Sequence, residues 1–101
     1  MRTPEYKVKL KVRAILKEYG AYYFTPMGTG FGTSGVPDIV ACFHGRFIGL
    51  ECKAGKNKPT ALQLHNLEQI VQQGGVALVI NESNIDEVSA CMKHIKVERD
   101  G

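Results

Sequence analysis

The chain has 101 residues, 44% of them apolar and 23% charged. This is the size and composition of one globular domain, and it excludes a second core and a disordered chain. No apolar run approaches the roughly 20 residues of a membrane span, and Met1-Arg2-Thr3-Pro4-Glu5 does not read as a signal peptide. Three cysteines without CxxC spacing (Cys42, Cys52, Cys91) do not make a disulfide scaffold, so a reducing, cytoplasmic setting is expected.

The net charge of +3 is modest, but it is unevenly spread. Arg2, Lys7, Lys9, Lys11, Arg13 and Lys17 crowd the first 20 residues, and Arg46, Lys53, Lys56 and Lys58 crowd the middle. Glu82, Asp86, Glu87, Glu98 and Asp100 make an acidic end. Polarised charge of this kind either solvates a helix face or meets a polyanion.

Thr3 and Pro4 are a hydroxyl N-cap followed by proline at the first helical position. Val8, Val12, Ile15, Leu16 and Tyr19 then recur at helical spacing until Gly20, which predicts a helix over 4–19. The aromatic run 21–25 reads as a strand. Residues 26–35 hold four glycines and read as a mobile loop. Runs 36–43 and 46–53 are strand-like, and His44-Gly45 between them predicts a tight hairpin. Residues 54–58 form a basic loop. A second helix opens at Pro59 or Thr60, carries a stripe of Leu64, Leu67, Ile70 and Val71, and ends at Gly74-Gly75. Residues 76–80 read as a buried strand. Ser83 and Asp86 resemble a capping box for a third helix marked by Val88, Cys91, Met92 and Ile95, and 96–101 read as a loose tail. The order is α-β-β-β-α-β-α, an α/β fold with a small mixed sheet flanked by helices.

The hairpin fixes a register. With His44-Gly45 as the turn, Ile39 faces Leu50 and Ala41 faces Ile48 on an apolar face. Cys42 faces Phe47 and Val40 faces Gly49 on the other. Asp38 then lies across from Glu51, and Lys53 shares the Glu51 face. Opposed residues have Cβ atoms roughly 4.5–5.5 Å apart, so two carboxylates there repel. Either the strand ends fray and both are solvated, or a shared proton or a divalent cation compensates. Oxygen ligands suit Mg²⁺ or Mn²⁺ better than zinc. On helical wheels Glu5 falls on the apolar stripe of the first helix, and Gln63 falls within that of the second and points inward. Glu5 also suits the helix dipole. Gln63 is either a buried amide satisfied by backbone or a site residue.

Gly35-Val36-Pro37-Asp38 followed by Glu51-Cys52-Lys53 resembles the PD-(D/E)XK nuclease signature. The glycine loop before it and the Thr60-Ala61-Leu62-Gln63 helix after it resemble the VRR-NUC (virus-type replication-repair nuclease) branch, over roughly residues 3–80. That resemblance implies a restriction-endonuclease-like fold. It implies that Asp38, Glu51 and the Cys52 carbonyl hold Mg²⁺ or Mn²⁺, with Glu5 a further acidic ligand, directly or through water. It assigns Lys53 to the attacking water and Gln63 to orienting the site or substrate. Lys56 and Lys58, with Lys7 and Lys11 on the first helix, are placed to touch phosphate. The implied activity is metal-dependent endonucleolytic hydrolysis of branched DNA such as four-way (Holliday) junctions, by a homodimer. A flap or restriction-like endonuclease and a non-hydrolytic DNA-binding module are the alternatives.

Two other patterns carry less. Gly30 to Gly35 fits GxGxxG, but a strand follows where a dinucleotide site needs a helix, so no nucleotide cofactor is expected. Cys42 and Cys52 alternate onto opposite faces and should not share zinc; both read as core thiols. His65 and His94 read as exposed. Tyr19, Tyr22, Tyr23 and Phe24 read as core or protein interface.

Overall fold

The computed structural model describes residues 3–27 and 34–101. The elements run α1 (Pro4–Tyr19), β1 (Tyr22–Phe24), β2 (Ile39–Phe43), β3 (Arg46–Cys52), α2 (Ala61–Gln72), β4 (Val76–Ile80) and α3 (Asp86–Asp100). The expected order is therefore the observed one. Residues 28–33 of the expected glycine loop, including most of the GxGxxG pattern, lie outside the described residues.

α1 has the expected bounds because both ends are chemically specified. The Thr3 hydroxyl accepts a hydrogen bond from Tyr6 N–H at 3.1 Å. Gly20 closes the helix at φ 79°, donating back to the Leu16 and Lys17 carbonyls. The four strands form one sheet in the order β1-β2-β3-β4. β1 to β3 are antiparallel, and β4 runs parallel to β3 after the α2 crossover. The β2–β3 register is the expected one: Ile39 faces Leu50, Ala41 faces Ile48, and Phe43 faces Arg46 across the turn.

One face of the sheet makes the core. Ile39, Ala41, Ile48, Leu50, Cys52 and Ile80 are buried there against Val8, Val12 and Leu16 of α1 and Val88, Met92 and Ile95 of α3. α2 covers only β3 and β4 on the opposite face. Of its expected stripe Leu67 is buried and Ile70 half-buried, but Leu64 and Val71 are about half exposed. Two strands are too narrow to cover a wide helical stripe. β1 and β2 are left open on that face, so Tyr22, Phe24 and Phe47 are exposed, whereas Tyr19 and Tyr23 pack against the core. Cys42 shares the open face and is exposed, so of the two thiols expected in the core only Cys52 is buried there.

Three boundaries differ from expectation. β2 starts at Ile39, not at 36, because proline cannot donate to a ladder; Pro37 is buried instead, beside Gly49. The Ser83/Asp86 capping box does not form. The Ser83 hydroxyl donates to Asn81 Oδ1 at 2.6 Å, and α3 begins with no side-chain cap. Residues 96–100 are helical and not a loose tail, since α3 runs to Asp100. Its last turns are tied down where Glu98 meets Arg46 at 3.2 Å and His94 at 2.7 Å. No helix among the described residues is long and apolar enough to cross a membrane.

Gly35 is where the segment before β2 meets α2. Its φ is +78°, and an added Cβ would lie 2.7 Å from Leu62 Cγ and 3.0 Å from the Leu62 carbonyl carbon. Gly20 has the same backbone conformation with nothing within 4 Å. Gly20→Ala should therefore cost only the left-handed penalty of about 1–2 kcal/mol. Gly35→Ala should add an overpacking cost of roughly 1–3 kcal/mol, because the helix must move. Thermal melts of the two variants check this, with Gly35→Ala expected to melt several degrees lower than Gly20→Ala.

Candidate active site

The site lies where β2 begins and β3 ends. The β2–β3 register ends at Ile39 opposite Leu50, and Asp38 sits in the bend just before it, with its carboxylate close enough to Glu51 to act on it directly. Pro37, just before Asp38, packs beside Gly49 on the α2 side of the sheet. The Cys52 N–H donates to Asp38 Oδ2 at 2.8 Å. In an extended chain the N–H and C=O of one residue project to the same side. The Cys52 carbonyl therefore faces the Asp38 side of the strand, while the next N–H, that of Lys53, binds Ile80 O at 2.9 Å on the β4 side. The Asp38 carboxylate and the Cys52 carbonyl oxygen thus lie on one side of β3.

Glu51 is 1% exposed, the one buried charged residue among those described. Neither of its oxygens has a hydrogen-bond partner among the described residues. Lys53 Nζ lies 3.4 Å from Oε2 as its ion-pair partner. Burial above all, and then the adjacent Asp38 carboxylate, push the Glu51 carboxyl up to about 7, although Lys53 pulls the other way. Asp38 has its own ammonium, Lys9 Nζ, 3.4 Å from Oδ1. The Cys52 thiol on the core face is pushed up to about 12, by burial first and then by Asp38 and Glu51. That sulfur stays protonated, so Cys52 can serve an ion only through its carbonyl.

The expected set is therefore divided. Asp38, Glu51, the Cys52 backbone and Lys53 converge. Glu5 is half-buried in the first turn of α1, and its charge reaches the Cys52 thiol. Gln63 is half-buried, and its Oε1 accepts from Thr60 N–H at 2.8 Å while Thr60 Oγ1 accepts from Gln63 N–H at 3.2 Å. This is a capping box, so backbone satisfies the carbonyl end of the amide. The Thr60-x-x-Gln63 spacing carried that signal in the sequence. Lys56, Lys58, Lys7 and Lys11 are exposed. Among the described residues no three His, Cys, Asp or Glu side chains are gathered closely enough to hold an ion. The donors at hand are two carboxylates and a backbone oxygen.

Two participants escaped the sequence reading. Lys9 is one turn after Glu5 and close to it on the wheel, which was the available clue. Glu82 had none. Its carboxylate accepts the Gly55 N–H at 2.9 and 3.2 Å and so fixes the basic loop after Lys53 to the turn after β4. Hydrogen bonds from its own N–H and from Gly55 lower the Glu82 carboxyl below its usual range, with a further contribution from Lys11.

A raised carboxyl favours the protonated fold. Its stabilising effect is complete below the ordinary value of 4.5 and is lost as pH rises through about 7. In chelator, wild type should lose on the order of 2–3 kcal/mol from this group between about pH 5 and pH 8. Glu51→Gln removes the charge and should flatten that dependence, melting above wild type at about pH 8. Melting curves of both proteins across this range are the check.

Comparison with solved structures gives the fold an independent reference. One, described as a VRR_NUC domain, superposes with a TM-score of 0.71 at 21% identity, covering 92% of this chain and 98% of its own. A VRR_NUC domain protein gives 0.62 at 19% identity, covering 95% and 91%. No family model and no curated protein matches the sequence. The chain thus has the VRR_NUC domain fold, the restriction-endonuclease-like arrangement that the resemblance of its Asp38…Glu51-Cys52-Lys53 signature implied.

Proposed function

We propose that the chain is a divalent-metal-dependent endonuclease that hydrolyses DNA phosphodiester bonds. One observation carries the reading: Glu51 is buried with both oxygens lacking hydrogen bonds, against a second carboxylate and an ammonium, in a fold shared with VRR_NUC domains. A buried carboxylate with open lone pairs is costly unless a cation uses them. The donors fit Mg²⁺ or Mn²⁺, which prefer carboxylate and carbonyl oxygens. Asp38 Oδ1, Glu51 and the Cys52 carbonyl would hold the ion, and Glu5 would join through water. Bound there, the ion supplies Lewis acidity at a phosphoryl oxygen and acidifies an attacking water.

The chain's own groups do the rest. Lys53 Nζ, 13% exposed and paired to Glu51, orients the attacking water and offsets negative charge that develops on the phosphoryl oxygens. The Cys52 N–H holds Asp38 in one rotamer, so its second oxygen is presented without loss of side-chain entropy on binding. Gln63 fixes the start of α2 beside the site and leaves its amide nitrogen for the substrate. Lys56 and Lys58, on the loop pinned by Glu82, and Lys7 and Lys11 on α1 contact phosphates and set the DNA track without reading sequence. One site cuts one strand, so paired incision at a four-way junction requires two copies about a two-fold axis. We read branched DNA as the substrate and a homodimer as the working form.

Incubation of labelled four-way junction, flap and linear duplex with Mg²⁺ or Mn²⁺ tests this. Wild type should cut the branched substrates. Asp38→Ala and Lys53→Ala should each lose about 10²-fold or more. Binding without cutting under either metal would favour the non-hydrolytic module, and preference for flap or linear DNA would favour the other endonuclease readings. In a second measurement without DNA, Mn²⁺ should raise the melting temperature of wild type and raise that of Asp38→Asn less. Equal shifts would put the ion elsewhere.

A further inference from the structure

The two oxygens of Asp38 serve different partners. Oδ2 is committed to the Cys52 N–H at 2.8 Å. Oδ1 is therefore the oxygen left for an incoming cation, and it lies 3.4 Å from Lys9 Nζ. Lys9 is 25% exposed and Asp38 20% exposed, so the pair is partly shielded, yet the ammonium still reaches solvent on a flexible four-carbon stem. Lys53 is more enclosed, at 13%, and pairs with the other carboxylate. Lys7 and Lys11, on the same helix, are exposed. Among the described residues Lys9 alone combines contact with that oxygen and freedom to leave it.

We propose that Lys9 is a cation place-holder: it neutralises Asp38 Oδ1 until a divalent ion takes that oxygen, and the released ammonium then engages a phosphate of the bound DNA. The inference rests on the nuclease reading above and adds a residue to it. An ammonium and a divalent ion on one carboxylate oxygen repel each other, so the ion's arrival drives Lys9 outward. A phosphodiester beside the ion is the nearest new anion for it. Without Lys9 the metal-free site would hold two adjacent carboxylates against Lys53 alone. With it, the charges balance before the ion binds. The exchange has a thermodynamic cost: Lys9 competes with the ion and weakens its binding.

The test uses the full chain and Mn²⁺ alone as the first probe. By calorimetric titration without DNA, Lys9→Met keeps the stem and removes the charge, and it should bind Mn²⁺ about three- to ten-fold more tightly than wild type. Lys9→Gln should do the same, which guards against poor folding of either variant. Lys9→Arg should match wild type. Lys17→Met removes an exposed charge from the far end of α1 and controls for net charge; it should stay within about two-fold. Unchanged or weaker Mn²⁺ binding in both neutral Lys9 variants, or equal tightening in Lys17→Met, overturns the place-holder. The second probe is single-turnover cleavage of the four-way junction at saturating Mn²⁺. Lys9→Met should be about ten-fold slower, with Lys9→Arg restoring most of the rate. Cleavage at the wild-type rate overturns the transfer to phosphate. If wild type cuts no DNA while Lys9→Met still tightens Mn²⁺ binding, the nuclease reading and the transfer to phosphate both fail and the place-holder stands.

Discussion

Two carboxylates share one end of a four-stranded sheet, and much of the nearby structure manages their repulsion. Glu51 is shielded from water, without hydrogen bonds to its oxygens, and close enough to Asp38 for that neighbour to raise its proton affinity. A domain of 101 residues has only a few kcal/mol of net stability to spare. Three nearby groups offset the repulsion: the Cys52 N–H on Asp38 Oδ2, Lys9 on Oδ1 and Lys53 on Glu51. The same electrostatic tension that weakens the empty site is what gives it affinity for a divalent ion. Stability and binding are opposite readings of one repulsion.

The backbone around the pair is shaped to hold it. Pro37 ends the ladder, so Asp38 is free of strand geometry and reaches sideways to the Cys52 N–H. Gly49, beside Pro37, leaves room for Pro37 and Ile70 to pack where a side chain would stand; an added Cβ there would lie 3.0 Å from Pro37 Cγ and 2.5 Å from Ile70 Cδ1. Gly35 lets the chain approach the first turn of α2. α2 in turn is started by the Thr60–Gln63 box, and its Leu62 and Asn66 are the neighbours that Gly35 approaches. The glycines and the proline are thus packing devices that aim the carboxylates.

Charge outside the site follows a similar logic. The loop after Lys53 carries Lys56 and Lys58, which repel one another and favour no fixed path. Glu82 supplies one by accepting the Gly55 N–H with both oxygens, and Lys11 on α1 adds positive charge nearby. An acid inside a basic surface therefore orders that surface. The part of the sheet that α2 leaves uncovered has another character. Tyr22, Phe24 and Phe47 stand exposed on sheet that α2 is too narrow to cover, and β1, β2 and α2 carry no lysine or arginine.

Elements and register were written locally. α1 has its cap, its proline and its glycine within 20 residues, and the His44-Gly45 turn sets the β2–β3 pairing as far as Ile39 and Leu50. Short-range chemistry of this kind needs no knowledge of the fold. The shared face of Glu51 and Lys53 followed from it by strand alternation, whereas Asp38 reaches Glu51 from the bend beyond the last pair. What tertiary structure alone decided depends on partners distant in sequence. Glu82 meets Gly55 across 27 residues, Glu98 meets Arg46 across 52 and extends α3 through the expected tail, and Lys9 meets Asp38 only because α1 packs across the core face. Helical periodicity says which side of a helix is apolar, but not how much sheet awaits it. Hence Leu64 and Val71 stay exposed on a helix that covers two strands. Local propensity fixes what a segment becomes, whereas packing determines which charges end up within reach of one another, and that second choice sets the chemistry.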